Sequence, residues 1–570
     1  MARRGAKAPI ILLGVAVAAS AALLLTLTAG NTFFQDSWAF FFEREGNSPG
    51  DFLRPHNEHI VVIPVAIQKL LLALFGLGSQ LPEQLVLTAM LAATAVLVFV
   101  YVRRRVGEWP ALIAAMIVLF LGPAWEVLLW PFEISLLGSV MMGVAALVLL
   151  DRNDRAGDIA ACAVLVAAIG FSSLGVPFAL AAAADVLARY RDRGFARIYV
   201  AAIPLAIYAA WWVTYGHDTA PGAHPATLED PLGVPRFAAE GIAASLSSTL
   251  GLRTVAGGIH VDASALFLLA LAALAVICVA VALLERRDRG TVRRQLRRAA
   301  TAGIWPVLTA SVTFWALAGL NSSGRQPLES RYMYVGAILI LLLAADLLVG
   351  VRIGRRALIA AGIATAAIVA LNLVPLFEGG EYLEEQTVYT RADLGAVEIA
   401  RNSVPPTFGF DPSIAGTFGL INVKAGPYQA LVEEDGSPAY TPTELANASE
   451  FGRRQADVVL AQALPLTTET VPGPVRGRAG RGCRRVSGGP GAPELTLRPG
   501  VTRVELPPGK PGGLFLRRFA HSYPLAVRGV PAPSTTAVKF PRDVVSRPWR
   551  LRVRADQGAL ICGASAAGGA

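Results

Sequence analysis

Two histidines and a carboxylate lie together in LRPHNEHIVV, the stretch from Leu53 to Val62. His56, Asn57, Glu58 and His59 are consecutive, although the whole chain has only 6 histidines. Imidazole and carboxylate groups can transfer protons or bind a metal ion. In a helix, His56 and His59 would share one face and Asn57 would be a suitable cap. We predict catalytic roles for Glu58 and His59, and substrate binding for His56.

Asp36 and Arg331 are further candidates for chemistry. Asp36, in NTFFQDSWAFFFE, could remove a proton from a hydroxyl group or bind a divalent metal ion. The alternative is that Asp36 only caps a helix beginning near Ser37. Arg331, followed by Tyr332, is suited to bidentate phosphate recognition, and its alternative partner is Glu329. Weaker candidates for binding substrate or phosphate are Glu126, Glu133 and Arg325.

The elements that would position these residues are membrane helices. Hydrophobic residues make up 54% of the chain and charged residues 16%, whereas soluble proteins have roughly a quarter charged. The first apolar run is too long for a signal peptide, so we expect a retained span. We predict a helical bundle with about 11 spans: Pro9–Ala29, Leu81–Val102, Ala111–Gly122, Ile134–Leu150, Ile159–Phe171, Leu174–Leu187, Ile198–Tyr215, Ala263–Leu284, Ala299–Leu320, Tyr332–Val351 and Ala357–Phe377.

The net charge of +10 is explained by a membrane topology, because the basic residues concentrate in alternate connections between the spans. One set of connections carries 22 basic residues, including the cluster Arg286–Arg298, and the opposite set carries 7. By the positive-inside rule the N-terminus is cytoplasmic and everything after Phe377 is extracytoplasmic. The candidate site residues then share the outer side, with Ile60–Phe75 as a helix along the membrane surface. We expect the lipid bilayer as a partner and no nucleic acid.

The composition changes after the last span to that of a soluble region. We predict three parts: a transmembrane module at 1–377, a mixed helix and loop region at 378–482, and a β-sandwich at 483–570. Thr441–Pro442 is typical of a helix start. Cys483 and Cys562 bracket the last part, and an outer location favours a disulfide between them.

This combination resembles the GT-C superfamily of membrane glycosyltransferases, which includes protein mannosyltransferases, lipid A aminoarabinose transferases and mycobacterial arabinofuranosyltransferases. The resemblance covers residues 1–377, with a long first outer loop, the carboxylate Asp36 soon after the first span, and the late pair Arg331–Tyr332. It implies that Asp36 is the catalytic base or a metal ligand and that Arg331 holds the phosphate of a polyprenyl-phosphate sugar. In this family adjacent acidic residues are common, but Ser37 follows Asp36 here.

The resemblance implies an inverting transfer of a sugar from a polyprenyl-phosphate donor to a glycan, lipid or protein of the cell envelope at the plasma membrane. The C-terminal β-sandwich looks like a carbohydrate-binding module, and the composition is similar to that of actinobacterial cell-wall enzymes. The sequence identifies no cofactor, and Asp36, His56 and His59 could hold a divalent metal ion. The alternatives are a non-catalytic envelope scaffold and, less favoured, a transporter, because no paired repeats or charges deep within spans are evident.

Overall fold

The computed structural model of the protein describes residues 7–217, 229–252, 303–320, 325–351, 353–411, 413–414, 416–420, 422–473, 482–489 and 491–566. The predicted span Ala263–Leu284 and the basic cluster Arg286–Arg298 lie outside these residues. The chain divides into two compact units. Unit 1 comprises Met1–Ala29, Arg44–Leu71 and Leu81–Leu383, and unit 2 comprises Gly30–Glu43, Leu72–Gln80 and Glu384–Ala570.

Helices form most of the described structure. In chain order they are α1 Ala8–Leu27, α2 Asp36–Phe42, α3 Pro49–Leu53, α4 Val62–Phe75, α5 Leu81–Val106, α6 Glu108–Leu119, α7 Trp125–Leu129, α8 Ile134–Leu150, α9 Arg155–Phe171, α10 Gly175–Ala188, α11 Tyr190–Arg193, α12 Tyr199–Trp211, α13 Glu229–Thr249, α14 Ile304–Gly319, α15 Ser330–Leu347, α16 Arg355–Ile399, α17 Ala425–Asp435, α18 Pro442–Asn447 and α19 Glu450–Ala463.

Six described helices are long and apolar enough to cross a membrane: Ala8–Leu27, Leu81–Val106, Pro131–Leu150, Tyr199–Gly216, Ser330–Leu347 and Arg355–Ile399. The count rises to 7 if the bent pair Glu108–Leu119 and Gly122–Leu129 is one span. The predicted number of 11 is therefore not confirmed. One reason is that α10, with 14 residues, and α14, with 16, are short for a straight crossing of the bilayer.

Close helix packing in unit 1 depends on small residues. Gly138 of α8 lies against the ring of Phe171, and a Cβ atom at this position would overlap that ring. Small residues of this kind allow membrane helices to approach closely. Ion pairs add to this packing: Arg197 contacts Asp158 at 2.7 Å and Asp185 at 3.0 Å. Unit 1 is thus held together by both packing and buried charge pairs.

Unit 2 combines helices with ten strands. The strands are β1 Thr467–Pro472, β2 Cys483–Val486, β3 Leu495–Leu497, β4 Gly500–Leu506, β5 Gly512–Arg517, β6 Leu525–Val530, β7 Ser534–Phe540, β8 Arg550–Arg554, β9 Ala559–Cys562 and β10 Ala564–Ala566. They form two 5-stranded antiparallel sheets with the orders β1-β7-β4-β9-β2 and β10-β3-β8-β5-β6. Strand β1 begins before the predicted boundary at residue 483, so the β region is longer than predicted.

The core of unit 2 draws on both sheets and on its helices. Val504 of the first sheet, Leu514 of the second and Trp38 of α2 belong to one buried hydrophobic cluster. A disulfide joins Cys483 to Cys562, the pair that the sequence predicted. The predicted helix start is also present, because Thr441 and Glu444 form a capping box at the start of α18.

A buried carboxylate connects α19 to the second sheet. Asp457 accepts hydrogen bonds from the backbone N–H groups of Arg518, Phe519 and Ala520 at 2.7, 2.8 and 3.1 Å. Burial raises the pKa of Asp457 to about 6, although these three donors oppose the shift. The helical and β parts of unit 2 are therefore joined by specific polar contacts.

Candidate functional site

The stretch from His56 to His59 forms a tight β-turn. The N–H of His56 donates to the carbonyl of His59 at 3.0 Å, and the N–H of His59 donates to the carbonyl of His56 at 2.9 Å. Asn57 has a φ of 51°, in the left-handed region that asparagine tolerates well. The alternative interpretation, in which Asn57 caps the start of a helix, was therefore wrong. The two histidines still share a face, because they are directly opposed across the turn.

Glu58 lies within this turn and binds an arginine from a distant part of the chain. Nη2 of Arg325 donates to Oε2 of Glu58 at 2.6 Å, and both side chains are largely buried, with 19% and 25% exposed. The Ser173 hydroxyl donates to the carbonyl of Glu58 and accepts from the N–H of Ile60, both at 3.4 Å. The turn is thus attached to the start of α10 and to the segment before α15.

His59 is a neutral imidazole at physiological pH. Burial lowers its pKa to about 4, and the positive charge of Arg325 acts in the same direction. The nearby Glu58 carboxylate opposes this shift, whereas Arg331 and His56 support it. Nδ1 of His59 is buried, and no described residue hydrogen-bonds to it. A neutral imidazole can accept or donate a proton, depending on its tautomer.

His56 connects the turn to the short segment before α8. Its ring is buried and meets the ring of Phe132 edge-on, with 5.2 Å between centroids. Glu133 follows Phe132 and is itself buried, with 4% exposed. The contact between His56 and Phe132 therefore brings a second predicted segment, which carries Glu133, to the turn.

Arg331, at the start of α15, forms an ion pair with Glu329. Nε of Arg331 donates to Oε2 of Glu329 at 2.7 Å, and Nη2 donates to the same oxygen. The sequence analysis had included this partner as the alternative to phosphate binding. The pair leaves 39% of the Arg331 side chain exposed. Arg331 therefore remains accessible to an anion.

Two further carboxylates from the predicted site lie near Arg331. Glu126 and Glu133 both lie close enough for their charges to act on its guanidinium. The N–H of Glu126 donates to the Ser330 hydroxyl at 3.1 Å, which connects α7 to the start of α15. Tyr332 is buried, and the Arg331 guanidinium lies 5.6 Å from the centre of its ring. These contacts place two carboxylates and an aromatic ring near the Arg331 guanidinium.

One cluster in unit 1 therefore contains most of the predicted site residues. Direct contacts or mutual electrostatic effects connect its members. We call it the Glu58–Arg331 cluster, and it consists of His56, Glu58, His59, Glu126, Glu133, Arg325, Glu329, Arg331 and Tyr332. Ser173 and Phe132 also hold this cluster together, and sequence reasoning missed both because neither residue type signals a site.

Asp36 belongs to unit 2, where it is the first residue of α2. The N-cap residue is Gln35, so the alternative prediction that Asp36 caps a helix beginning near Ser37 was wrong. Gln35 has a φ of 46° and a ψ of −116°, a conformation that is uncommon outside glycine. Its N–H donates to the carbonyl of Gly419 at 2.9 Å. A strained residue held by a specific contact is a frequent feature of functional sites.

The sequence analysis gave Asp36, His56 and His59 as candidate ligands of a divalent metal ion. Among the described residues, no three His, Cys, Asp or Glu side chains are arranged so that they could hold a metal ion. His56 and His59 by themselves supply two imidazoles, fewer ligands than the three or four of a protein zinc site. The described geometry therefore favours acid–base and anion-binding chemistry in the Glu58–Arg331 cluster.

No protein-family model, curated protein or solved structure matches this chain. Its chemistry must be argued from the residues themselves. The cluster combines four carboxylates, two imidazoles and two arginines, a set that can position a hydroxyl group and stabilise a phosphate.

Proposed function

We propose that the protein is a membrane glycosyltransferase of the GT-C kind. It moves a sugar from a polyprenyl-phosphate donor to a glycan, lipid or protein acceptor of the cell envelope, on the outer face of the membrane. The observation that carries this proposal is the Glu58–Arg331 cluster. Residues from the first and the last predicted outer connections, Glu58 and Arg325, form one ion pair within a largely apolar helical unit.

The chemistry needs a base and an anion-binding group. The acceptor hydroxyl oxygen attacks the anomeric carbon, and the bond from that carbon to the phosphate oxygen breaks. The acceptor proton goes to the Glu58 carboxylate, and the electron pair leaves with the phosphate. Arg331 stabilises the negative charge that develops there. Attack opposite the leaving group inverts the anomeric centre. His59 orients the acceptor through a hydrogen bond.

A lipid-borne donor is consistent with the sequence of the transmembrane module. No P-loop or other nucleotide-binding motif is evident in its short basic connections. A donor that arrives within the bilayer needs no such motif, and its phosphate would approach from the membrane edge. Arginine is suited to that group because its planar fork matches phosphate oxygens.

The proposal includes three finer structural points. The helical unit crosses the membrane about 11 times, with α9, α10, α14 and the span Ala263–Leu284 added to the long apolar helices. The N-terminus is cytoplasmic and unit 2 is extracytoplasmic. The two antiparallel sheets pack as a β-sandwich, which the shared hydrophobic cluster supports.

A non-catalytic envelope scaffold is the second candidate, and a specific observation favours it. Each arginine of the cluster already has a carboxylate partner: Arg325 binds Glu58 and Arg331 binds Glu329. Such pairs could serve only to stabilise the bundle. The two candidates differ in a measurable property, because only a transferase turns over a sugar donor.

The test is transfer by the purified full-length protein in detergent or nanodiscs. Radiolabelled polyprenyl-phosphate sugars and the corresponding nucleotide sugars are offered separately, with a cell-envelope glycan fraction as the acceptor. We expect label in the acceptor from the lipid-linked donor alone. Transfer from the nucleotide sugar would exclude the proposed donor class. Absence of transfer from a panel of lipid-linked pentoses and hexoses would favour the scaffold.

A further inference from the structure

The face of the second sheet that points away from the hydrophobic core carries several arginine side chains. On β8, Arg550, Arg552 and Arg554 alternate with the buried residues Leu551 and Val553. Residues that alternate along a strand point to opposite faces of the sheet. The three arginines therefore form a row on the face that points away from the hydrophobic core.

Strands β5 and β6, which lie on one side of β8, extend this row. Across from β8, Arg517 pairs with Arg550 and Phe515 pairs with Arg552. Arg528 of β6 lies opposite Gly513 and lines the same groove as Arg554. Directly opposed residues share a face. We call this surface the arginine face, and it consists of Arg517, Arg528, Arg550, Arg552 and Arg554 together with Phe515 and Tyr523.

Among the described residues, few carboxylates balance this positive charge. Glu494 binds Arg517 through two hydrogen bonds of 2.6 and 2.9 Å, and it also accepts from the Tyr523 hydroxyl at 2.7 Å. Among the residues that the structure describes, none forms an ion pair with the other four arginines. Asp556 lies in the same groove. Five guanidinium groups against two carboxylates leave an excess of positive charge.

Aromatic rings hold two of the arginines in place. The Arg554 guanidinium lies 5.0 Å from the centre of the Phe515 ring, and that of Arg552 lies 4.8 Å from the centre of the Tyr523 ring. Nε of Arg552 is buried, and no described residue accepts a hydrogen bond from it. Stacking orients a guanidinium and leaves its N–H groups free to bind an anion at low entropic cost.

A groove with backbone walls lies beside this arrangement. It encloses about 620 Å³ and is lined by Gly488, Gly489, Gly512, Phe515, Arg528 and Arg554 among others. Glycines at the wall keep the groove open and let a ligand reach the backbone. A groove of this size is in the range of ligand sites.

We propose that the arginine face and its groove bind an anionic glycan, a chain of sugars that carry carboxylate or phosphate groups. The guanidinium groups would form charged hydrogen bonds with those anions. Phe515 and Tyr523 would keep the guanidinium groups of Arg554 and Arg552 in position for those anions. The proposal concerns a binding site in unit 2 and does not depend on sugar transfer, which is measured separately.

Two other anionic partners fit less well. The unit contains a disulfide, and disulfides form in oxidising compartments, where nucleic acid is not the ordinary partner. A lipid surface is contacted best by exposed apolar side chains flanking basic ones. Here Phe515 and Tyr523 are only partly exposed, and guanidinium groups lie over their rings.

The test is binding of defined probes to the purified full-length protein, for example by microscale thermophoresis at low salt. The probes are a galacturonate tetrasaccharide, a neutral maltotetraose, vesicles containing anionic lipid, and a short single-stranded oligonucleotide. We expect the galacturonate to bind at least about tenfold more tightly than the maltotetraose, and its affinity to fall as salt is added.

Three variants locate the site. The double variant Arg552→Gln/Arg554→Gln should weaken galacturonate binding by about tenfold or more. Gly489→Trp should block the groove without disturbing the sheet, since a Cβ at Gly489 meets no atom within 4 Å. The control is Arg503→Gln, an exposed arginine of β4 in the other sheet, which should bind as the wild type does.

Several outcomes would overturn the proposal. One is equal affinity for galacturonate and maltotetraose, and another is galacturonate binding that both the double variant and Gly489→Trp leave unchanged. A face that binds only vesicles, through the same arginines, would be a lipid site instead. A face that binds only the oligonucleotide would be a nucleic-acid site. Thermal unfolding of each variant shows whether the β region has remained folded.

Discussion

Glu58 and Arg325 form an ion pair of 2.6 Å although 267 positions separate them in the chain. Each side chain is largely buried, and each belongs to a segment that the sequence had singled out for a different reason. The pair fixes the His56–His59 turn against the segment that precedes α15. It is therefore both a structural connection and the centre of the candidate site.

Removing this pair should destabilise unit 1. We expect Arg325→Gln to lower the free energy of unfolding by about 1–3 kcal/mol, because Glu58 loses a short charged hydrogen bond in a largely buried position. The measurement is thermal or denaturant unfolding in detergent. Arg236→Gln is the matched control, since its ion pair with Glu240 leaves 82% of the arginine side chain exposed. Equal effects of the two substitutions would argue against a structural role for the Glu58 pair.

Arg331 should affect use of the donor more than stability. We expect Arg331→Gln to raise the KM for the polyprenyl-phosphate sugar by about tenfold or more, as a charged hydrogen bond to phosphate is lost. Arg331→Lys should recover only part of this loss, because lysine cannot bind two oxygens in one plane. Steady-state kinetics with varied donor provide the measurement. An unchanged KM together with lower stability would assign Arg331 only to its pair with Glu329.

His59 should make the protein sensitive to acid. Its pKa in the folded state is about 4, below the ordinary value of 6.5, so the unfolded chain takes up a proton first as the pH falls. Stability from this group is complete above pH 6.5, declines between pH 6.5 and 4, and then levels off. We expect His59→Gln to reduce the fall in melting temperature over this interval.

The control for this pH prediction is the interval from about pH 7.5 to about pH 8.5. His59 is neutral there in both the folded and the unfolded chain, so the wild type and His59→Gln should show the same slope of melting temperature against pH. Identical profiles for the wild type and His59→Gln would show that His59 is not a buried neutral imidazole.

Part of the architecture could be predicted from the sequence because some structural signals are local. The capping box at Thr441 and the pair Cys483–Cys562 could be predicted from residue type and position, and both are present. The His56–His59 turn was missed, because asparagine caps helices and also adopts the left-handed conformation of tight turns. The residue types at positions 56–59 are compatible with both a helix N-terminus and a tight turn. These four residues alone therefore did not distinguish the two structures.

Long-range relationships were not accessible from the sequence. Nothing near Glu58 indicates Arg325 as its partner, and nothing in Gly30–Glu43 indicates that this segment packs within unit 2. Such pairings result from the tertiary fold. The span count differs for a related reason, because hydropathy alone does not set the length of helices such as α10.

The disulfide should stabilise the β region. Closing a loop between positions separated by 79 residues restricts the unfolded chain, with an expected contribution of about 4 kcal/mol. We expect Cys483→Ala/Cys562→Ala to lower the melting temperature and to abolish any response to a reducing agent. Cys162→Ala is the control, because this buried cysteine is free and its removal should leave the response to reductant intact. A wild type that is insensitive to reductant after full reduction would contradict the prediction.

The most direct test of the central claim is sugar transfer from a polyprenyl-phosphate donor by the wild type and by Glu58→Gln. Glutamine keeps the size and polarity of the side chain but cannot accept the acceptor proton, so we expect kcat to fall by about 100-fold or more. The control Glu45→Gln removes an exposed carboxylate from the same predicted loop and should retain full activity. Unaltered transfer by a folded Glu58→Gln protein would contradict the account.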